Sequence, residues 1–153
     1  MSDVGEQLMH AEEMRARAAD FVGQATAGNR LPLDYSEASL RLVDFLIDGL
    51  RKHGADEARV SGVLAGLGAY VGEVLVRRAG ATWIDFDADQ RAYFVQPVGV
   101  RMPDGRVWSP LGKVRNCFEA GSRRESLRVF YLTLHGRSRR SRGGPGLSPM
   151  PPS

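Results

Sequence analysis

Cysteine is almost absent from this chain. Cys117 stands alone, which excludes an internal disulfide and any cysteine-rich zinc site, fits a reducing cytoplasm, and leaves core filling as the thiol's expected role. Histidine is nearly as scarce: His10, His53 and His135 are far apart and form no His-Glu-x-x-His pair, so neither a metal nor another cofactor is expected. Long apolar runs are missing as well. The richest, from Val60 to Val76, is broken by Glu73 and by glycines and alanines, short of the ~20 apolar residues that span a bilayer. The acidic start MSDVGEQLMHAEEM lacks the basic and apolar regions of a secretory signal. The glycine-rich GVLAGLGAYVG lacks the Gly-Lys-Ser/Thr ending of a phosphate loop. Asp85, Asp87 and Asp89 open like a calcium loop, but Gln90 and Gln96 hold its sixth and twelfth places, so a solvated turn is expected.

What the chain does have is the composition of one ordinary domain: 153 residues, 42% hydrophobic and 25% charged. The net charge of +3 is unevenly placed. Arg137, Arg139, Arg140 and Arg142 lie in the acid-free RSRRSRGGPGLSPMPPS, and without those four arginines residues 1–136 carry −1. That terminal composition cannot build a core, so residues 1–136 are expected to fold as a single domain and 137–153 to be a disordered tail. Arginine outnumbers lysine 19 to 2, a bias that codon usage in a GC-rich genome accounts for.

Periodicity predicts an α+β fold of three N-terminal helices, a small antiparallel β-meander and two C-terminal helices. Leu8, Ala11, Met14, Ala18, Phe21, Val22 and Ala25 form one helical stripe from about Glu6, which Gly28 and Asn29 end. Asp34 and Glu37 have capping-box spacing ahead of a second seam, Leu40, Val43, Ile47 and Leu50, closed by Gly54. A third helix, from about Asp56 to Arg78, carries large apolar residues on one side and Gly62, Gly66, Ala69 and Gly72 on the other. Each glycine costs up to ~1 kcal/mol of helix propensity relative to alanine, so this helix is expected to be central and closely approached. ATWIDF, RAYFVQPVGVRM and RVWS then read as strands, with Pro103, Asp104 and Gly105 as a tight turn and Trp83 and Trp108 against the core. Ser109 and Pro110 start a helix that Gly121 stops, and the spacing of Ser122 and Glu125 caps another through Leu127, Phe130, Tyr131 and Leu134.

LDYSEASLRLVDFL, YVGEVLVRRAGATW and VWSPLGKVRNCFEAGSRRESLRVFY together resemble small bacterial domains of unknown function, of the actinobacterial type. The landmarks are a Tyr-x-Gly-Glu segment and a Gly-x-x-Trp step into a hairpin, and the likeness spans about Leu33 to Leu134. It implies a shared fold and no catalytic residue.

Glu73 is the residue that most needs a reason, since a lone charge on a small-residue face is costly. A structural tie is expected, with Arg77 at i+4 or Lys113 across the fold as its partner, and Glu73, Arg77, Trp83 and Lys113 are the candidate structural or partner-binding residues. Cys117 lies at helical spacing from Val114 and Phe118 and offers no nucleophile beside a base. No catalytic set converges, so a non-enzymatic cytoplasmic domain that binds another protein is expected, as an accessory, adaptor or immunity-type factor. Nucleic acid is the alternative, through Arg123, Arg124, Arg137, Arg139, Arg140 and Arg142 as phosphate contacts.

Overall fold

The computed structural model describes residues 9–29, 33–54 and 56–135. The helix start expected at Glu6, the tail 137–153 and its four arginines lie outside the described residues. The described fold is α+β, and its centre is helix α3, Glu57–Ala79. Asp56 starts it by accepting a hydrogen bond from the Arg59 amide at 2.8 Å, and Gly80 ends it in the left-handed region at φ 76°. By length and composition Ala58–Ala79 could cross a membrane, longer than the sequence pattern suggested, and most of that stretch is buried inside the fold. Its small residues are contact points. A Cβ on Gly66 would press on Phe21, one on Gly68 on Leu111, and one on Gly72 would collide with the Trp83 indole. Gly62 is the exception, facing open space.

Helix α1, Met14–Asn29, follows a single 3-10 turn, Ala11–Glu13, and buries Met14, Ala18 and Ala25 against α3. It runs through Gly28 and Asn29, where the sequence pattern had placed its stop. Helix α2, Leu40–His53, buries Leu40, Val43 and Ile47 and is stopped by Gly54, whose N–H donates to the Leu50 carbonyl. Asp34 does not cap it. That carboxylate accepts the Ser36 amide two residues on, and a turn from Ser36 to Ser39 separates it from the helix.

A three-stranded antiparallel sheet, in order β1-β2-β3, is formed by β1 Thr82–Asp85, β2 Val98–Arg101 and β3 Val107–Trp108. Trp83 faces Val100 across the first pair, and Val100 faces Trp108 across the second. The stretch RAYFVQPVGVRM is a strand only in its second half. Its first half belongs to helix α4, Ala88–Phe94, begun by a capping box in which Asp87 accepts the Gln90 amide at 2.8 Å and Gln90 accepts the Asp87 amide at 3.0 Å. Phe94 then stacks on Phe86 at 5.0 Å to seal a small core of its own. The β2–β3 turn places only Gly105 at positive φ, 93°, with its N–H donating to Met102. This is a three-residue loop with a bulge, longer than a two-residue Asp-Gly hairpin.

Helix α5, Pro110–Ala120, begins as its sequence requires: Ser109 Oγ accepts the Gly112 amide at 3.0 Å, and Pro110 fills the first helical position. The continuous helix expected from Ser122 onward is split into a single turn, α6, Ser122–Glu125, and α7, Leu127–His135, by an extended Ser126. The cause lies on α2. Asp48 takes the Ser122 hydroxyl at 2.7 Å, and Asp44 takes the Ser126 hydroxyl at 2.6 Å and the Leu127 amide at 2.7 Å. Two carboxylates from a distant helix therefore hold the starts of both short helices, in place of the local Ser122–Glu125 box, and Ser126 Oγ adds a local cap to α7 by accepting the Val129 amide at 3.1 Å.

Candidate functional site

Glu73 is 2% exposed, on the face of α3 where Gly72 admits the Trp83 ring. Three groups converge on its carboxylate: Arg77 Nε donates to Oε2 at 3.2 Å, Trp83 Nε1 donates to Oε1 at 3.2 Å, and Arg15 Nε of α1 lies 3.8 Å from Oε2. Arg77 is the i+4 partner the sequence suggested. Lys113 is absent from this cluster; its ammonium lies over the Trp108 and Phe130 rings instead. Trp83 is half-buried, its ring wedged on Gly72. Tyr-x-Gly-Glu and Gly-x-x-Trp are thus two halves of one joint: the glycine makes room for the indole, and the glutamate accepts its N–H.

The joint continues into the turn before α2. Tyr35 adopts φ 65°, an uncommon conformation for a residue with a bulky side chain. Several contacts hold it there: its ring stacks on Tyr70 at 4.9 Å, the Arg77 guanidinium covers the ring at 3.7 Å, its N–H donates to Tyr70 Oη at 2.8 Å, and its carbonyl accepts Arg78 Nε at 3.1 Å. Tyr70 Oη also meets Ser39 Oγ at 2.6 Å. Burial pushes both tyrosine hydroxyls up from their ordinary range. Arg77 is therefore held between Glu73 and Tyr35, and its role is to join α3 to the α2 approach. Sequence reasoning missed Tyr35, Arg15 and Ser39, none of which carries a local signal for these partners.

The half-buried acids of α2 are also in structural use. Burial pushes the Asp44 carboxyl up from its ordinary range, against the opposing effect of the Ser126 and Leu127 hydrogen bonds. Cys117 is buried against it, with Sγ 3.9 Å from Asp44 Oδ1, and desolvation pushes the thiol up to about 12. A thiol so held is unreactive, which agrees with core filling. Among the described residues, no three His, Cys, Asp or Glu side chains group as a metal site would need.

Lys113 sits elsewhere, half-buried with its ammonium 4.9 Å from the Phe130 ring centre and 5.2 Å from that of Trp108. Arg123 and Arg124 are exposed on α6. Arg123 lines an open cleft of about 710 Å³ together with Asp48, Arg51, Lys52, Phe118 and Ser122. Arg51 forms one wall, its Nε donating to the Phe118 carbonyl at 2.6 Å and so closing the end of α5. Phe45, 67% exposed, lies seven residues before Lys52 on the same outer face of α2. No protein-family model, no curated protein and no solved structure matches this chain.

Proposed function

We propose that this protein is a non-enzymatic binding domain that holds an acidic, partly apolar segment of another protein in the cleft between the end of α2 and the α5–α6 corner. The observation that carries the reading is the contrast between interior and cleft. Glu73, Asp44 and Asp48 are each taken up by hydrogen bonds that join one element to another. The cleft offers Arg51, Lys52 and Arg123 against two acids, Asp48 and Glu119, and Asp48 is occupied by Ser122. Phe45, exposed two turns before Lys52 on the same face of α2, lies outside the cleft lining and adds apolar area to the charge that the cleft cations offer, the two ingredients that anchor protein interfaces. The single thiol fits a cytoplasmic setting.

The test compares proteins captured by the parent, Phe45→Ala and Arg123→Glu. Both changes are at exposed positions, so folding is retained, and both should lose the same captured partner. Undiminished capture by both variants refutes the cleft reading.

A second reading draws on the same cations. Arg51, Lys52, Arg123 and Arg124, with the arginines of 137–153 beyond α7, could contact phosphates of a nucleic acid. Affinity would then fall linearly on a log scale with salt, in proportion to the phosphates neutralised. Phe45→Ala would leave such binding unchanged, whereas removal of 137–153 would flatten the salt slope.

A further inference from the structure

Arg15, Arg77 and Arg78 stand around Glu73 and Tyr35, and each is tied there through its Nε. Arg77 Nε donates to Glu73 Oε2 at 3.2 Å, Arg15 Nε lies 3.8 Å from the same oxygen, and Arg78 Nε donates to the Tyr35 carbonyl at 3.1 Å. No described residue accepts a hydrogen bond from the Nη atoms of any of the three. The Arg77 side chain is 43% exposed and that of Arg15 77% exposed, so both guanidiniums are open to solvent. Distances of 3.2 and 3.8 Å from one oxygen put the two Nε atoms no more than 7.0 Å apart, a span that a single oxyanion bridges. Glu73 sets one negative charge against these two guanidiniums, which leaves one positive charge over, and Asp34, the acid beside Tyr35, is taken up by the Ser36 amide. Basic residues in the last turn of α3 suit its macrodipole, which accounts for the charge of Arg77 and Arg78 but not for Arg15, drawn in from α1. Nor does it account for Tyr35, a bulky residue held at φ 65° with the Arg77 guanidinium over its ring. Strain of this kind persists where a site is preorganised, and here the Tyr35 ring and carbonyl hold Arg77 and Arg78 in place.

We propose that Arg15 and Arg77, with Arg78 beside them, form a binding site for a phosphate group, carried by inorganic phosphate or by a small phosphorylated molecule. A carboxylate fills both its oxygens on a single guanidinium fork, whereas a phosphate monoester has three terminal oxygens to divide between two forks. It also neutralises the positive charge that Glu73 leaves over. The buried Glu73 carboxylate then has a second use, since it sets the two arginines at the spacing one anion needs. Cations that converge on one point differ from a nucleic-acid groove, where they follow the backbone along a track. The site shares no residue with the cleft between α2 and the α5–α6 corner, so it stands or falls independently of the partner held there.

The experiment titrates the full chain with inorganic phosphate at constant ionic strength, chloride making up the balance. It follows the Trp83 indole N–H resonance, because that group shares the Glu73 carboxylate with both arginines. Phosphate should shift the resonance saturably, and acetate should bind at least ~5-fold more weakly because it engages one fork only. Arg15→Gln, at a 77% exposed side chain, should keep the parent unfolding midpoint and weaken phosphate binding about 5-fold, the upper range for one exposed guanidinium. Arg15→Lys should restore only part of the affinity, since it returns the charge without the fork. Arg59→Gln, the same charge change at the other end of α3, should bind phosphate as the parent does. A shift that grows linearly with phosphate, acetate as effective as phosphate, or equal losses in Arg15→Gln and Arg59→Gln each overturns the proposal. So does a single-stranded oligonucleotide that binds through Arg15 where inorganic phosphate does not.

Discussion

Replacement of Glu73 by alanine tests whether this acid is a joint in the fold or a group kept for chemistry. The substitution removes two accepted hydrogen bonds, from Arg77 Nε and Trp83 Nε1, and the charge facing Arg15. Breaking a buried ion pair from one side typically costs ~3–5 kcal/mol, because the other charge stays buried. Here the other charges do not. The Arg77 side chain is 43% exposed and that of Arg15 77% exposed, so both guanidiniums regain water. The larger loss falls on the Trp83 N–H, wedged against Gly72 and left without its acceptor, a penalty of ~1–3 kcal/mol, with the void left by the removed side chain adding to it. The total should be about 3 kcal/mol, at the low end of the range for buried pairs. In a domain of this size, that lowers the melting temperature by roughly 6–12 °C. Glu73→Gln keeps the side-chain volume and one acceptor for the indole, so it should cost about half as much. Urea titration of the three proteins, monitored by tryptophan fluorescence, reads both the midpoint and the Trp83 environment. A Glu73→Ala protein within ~0.5 kcal/mol of the parent, the usual range for an uninvolved surface site, would refute the structural role and reopen a chemical one.

Two glycines of α3 should respond in opposite directions. Gly62→Ala faces open space in a helix and should raise stability by ~0.5–1 kcal/mol, whereas Gly72→Ala drives a methyl into the Trp83 ring and should lower it by ~1–3 kcal/mol; equal unfolding midpoints for the pair would contradict the packing. Asp44 has its carboxyl raised by burial, so the folded state binds its proton more tightly than the unfolded state does. Stability from this group is therefore fully present below the ordinary carboxylate range and is lost as pH rises through the folded value. Asp44→Asn should remove that slope, and parent and variant unfolding free energies that run parallel from pH 3 to 7 would rule it out. Cys117, pushed up to about 12, should resist iodoacetamide at pH 8 in the native protein and react once unfolded; rapid native labelling would show that the α2–α5 packing opens.

The sequence by itself determined the elements whose causes lie within a turn of the residues concerned. The stripe Met14, Ala18, Ala25 fixed the buried side of α1, Asp56 and Gly80 bounded α3, and Ser109 with Pro110 started α5. The Asp87–Gln90 capping box that begins α4 was just as readable. It was outweighed by the β-forming Tyr93, Phe94 and Val95, a case of local capping prevailing over propensity. Arg77 was within reach of sequence reasoning because i and i+4 meet on any helix.

Tertiary structure alone decided the rest, in each case through a partner many residues away. Ser122–His135 has the periodicity of one helix, yet Asp44 and Asp48 capture its serine hydroxyls and leading amides from 74 to 83 residues earlier, so it breaks in two at Ser126. Glu73 and Trp83 are ten residues apart and meet only because the chain reverses at Gly80 and lays β1 back along α3. The cleft between α2 and α6 exists only once α5 and α2 have packed. Helix periodicity and capping act across three or four residues and so are written in order along the chain. The choice of partner for a buried polar group follows from which elements exclude water around it, and that is fixed only when the whole domain has closed.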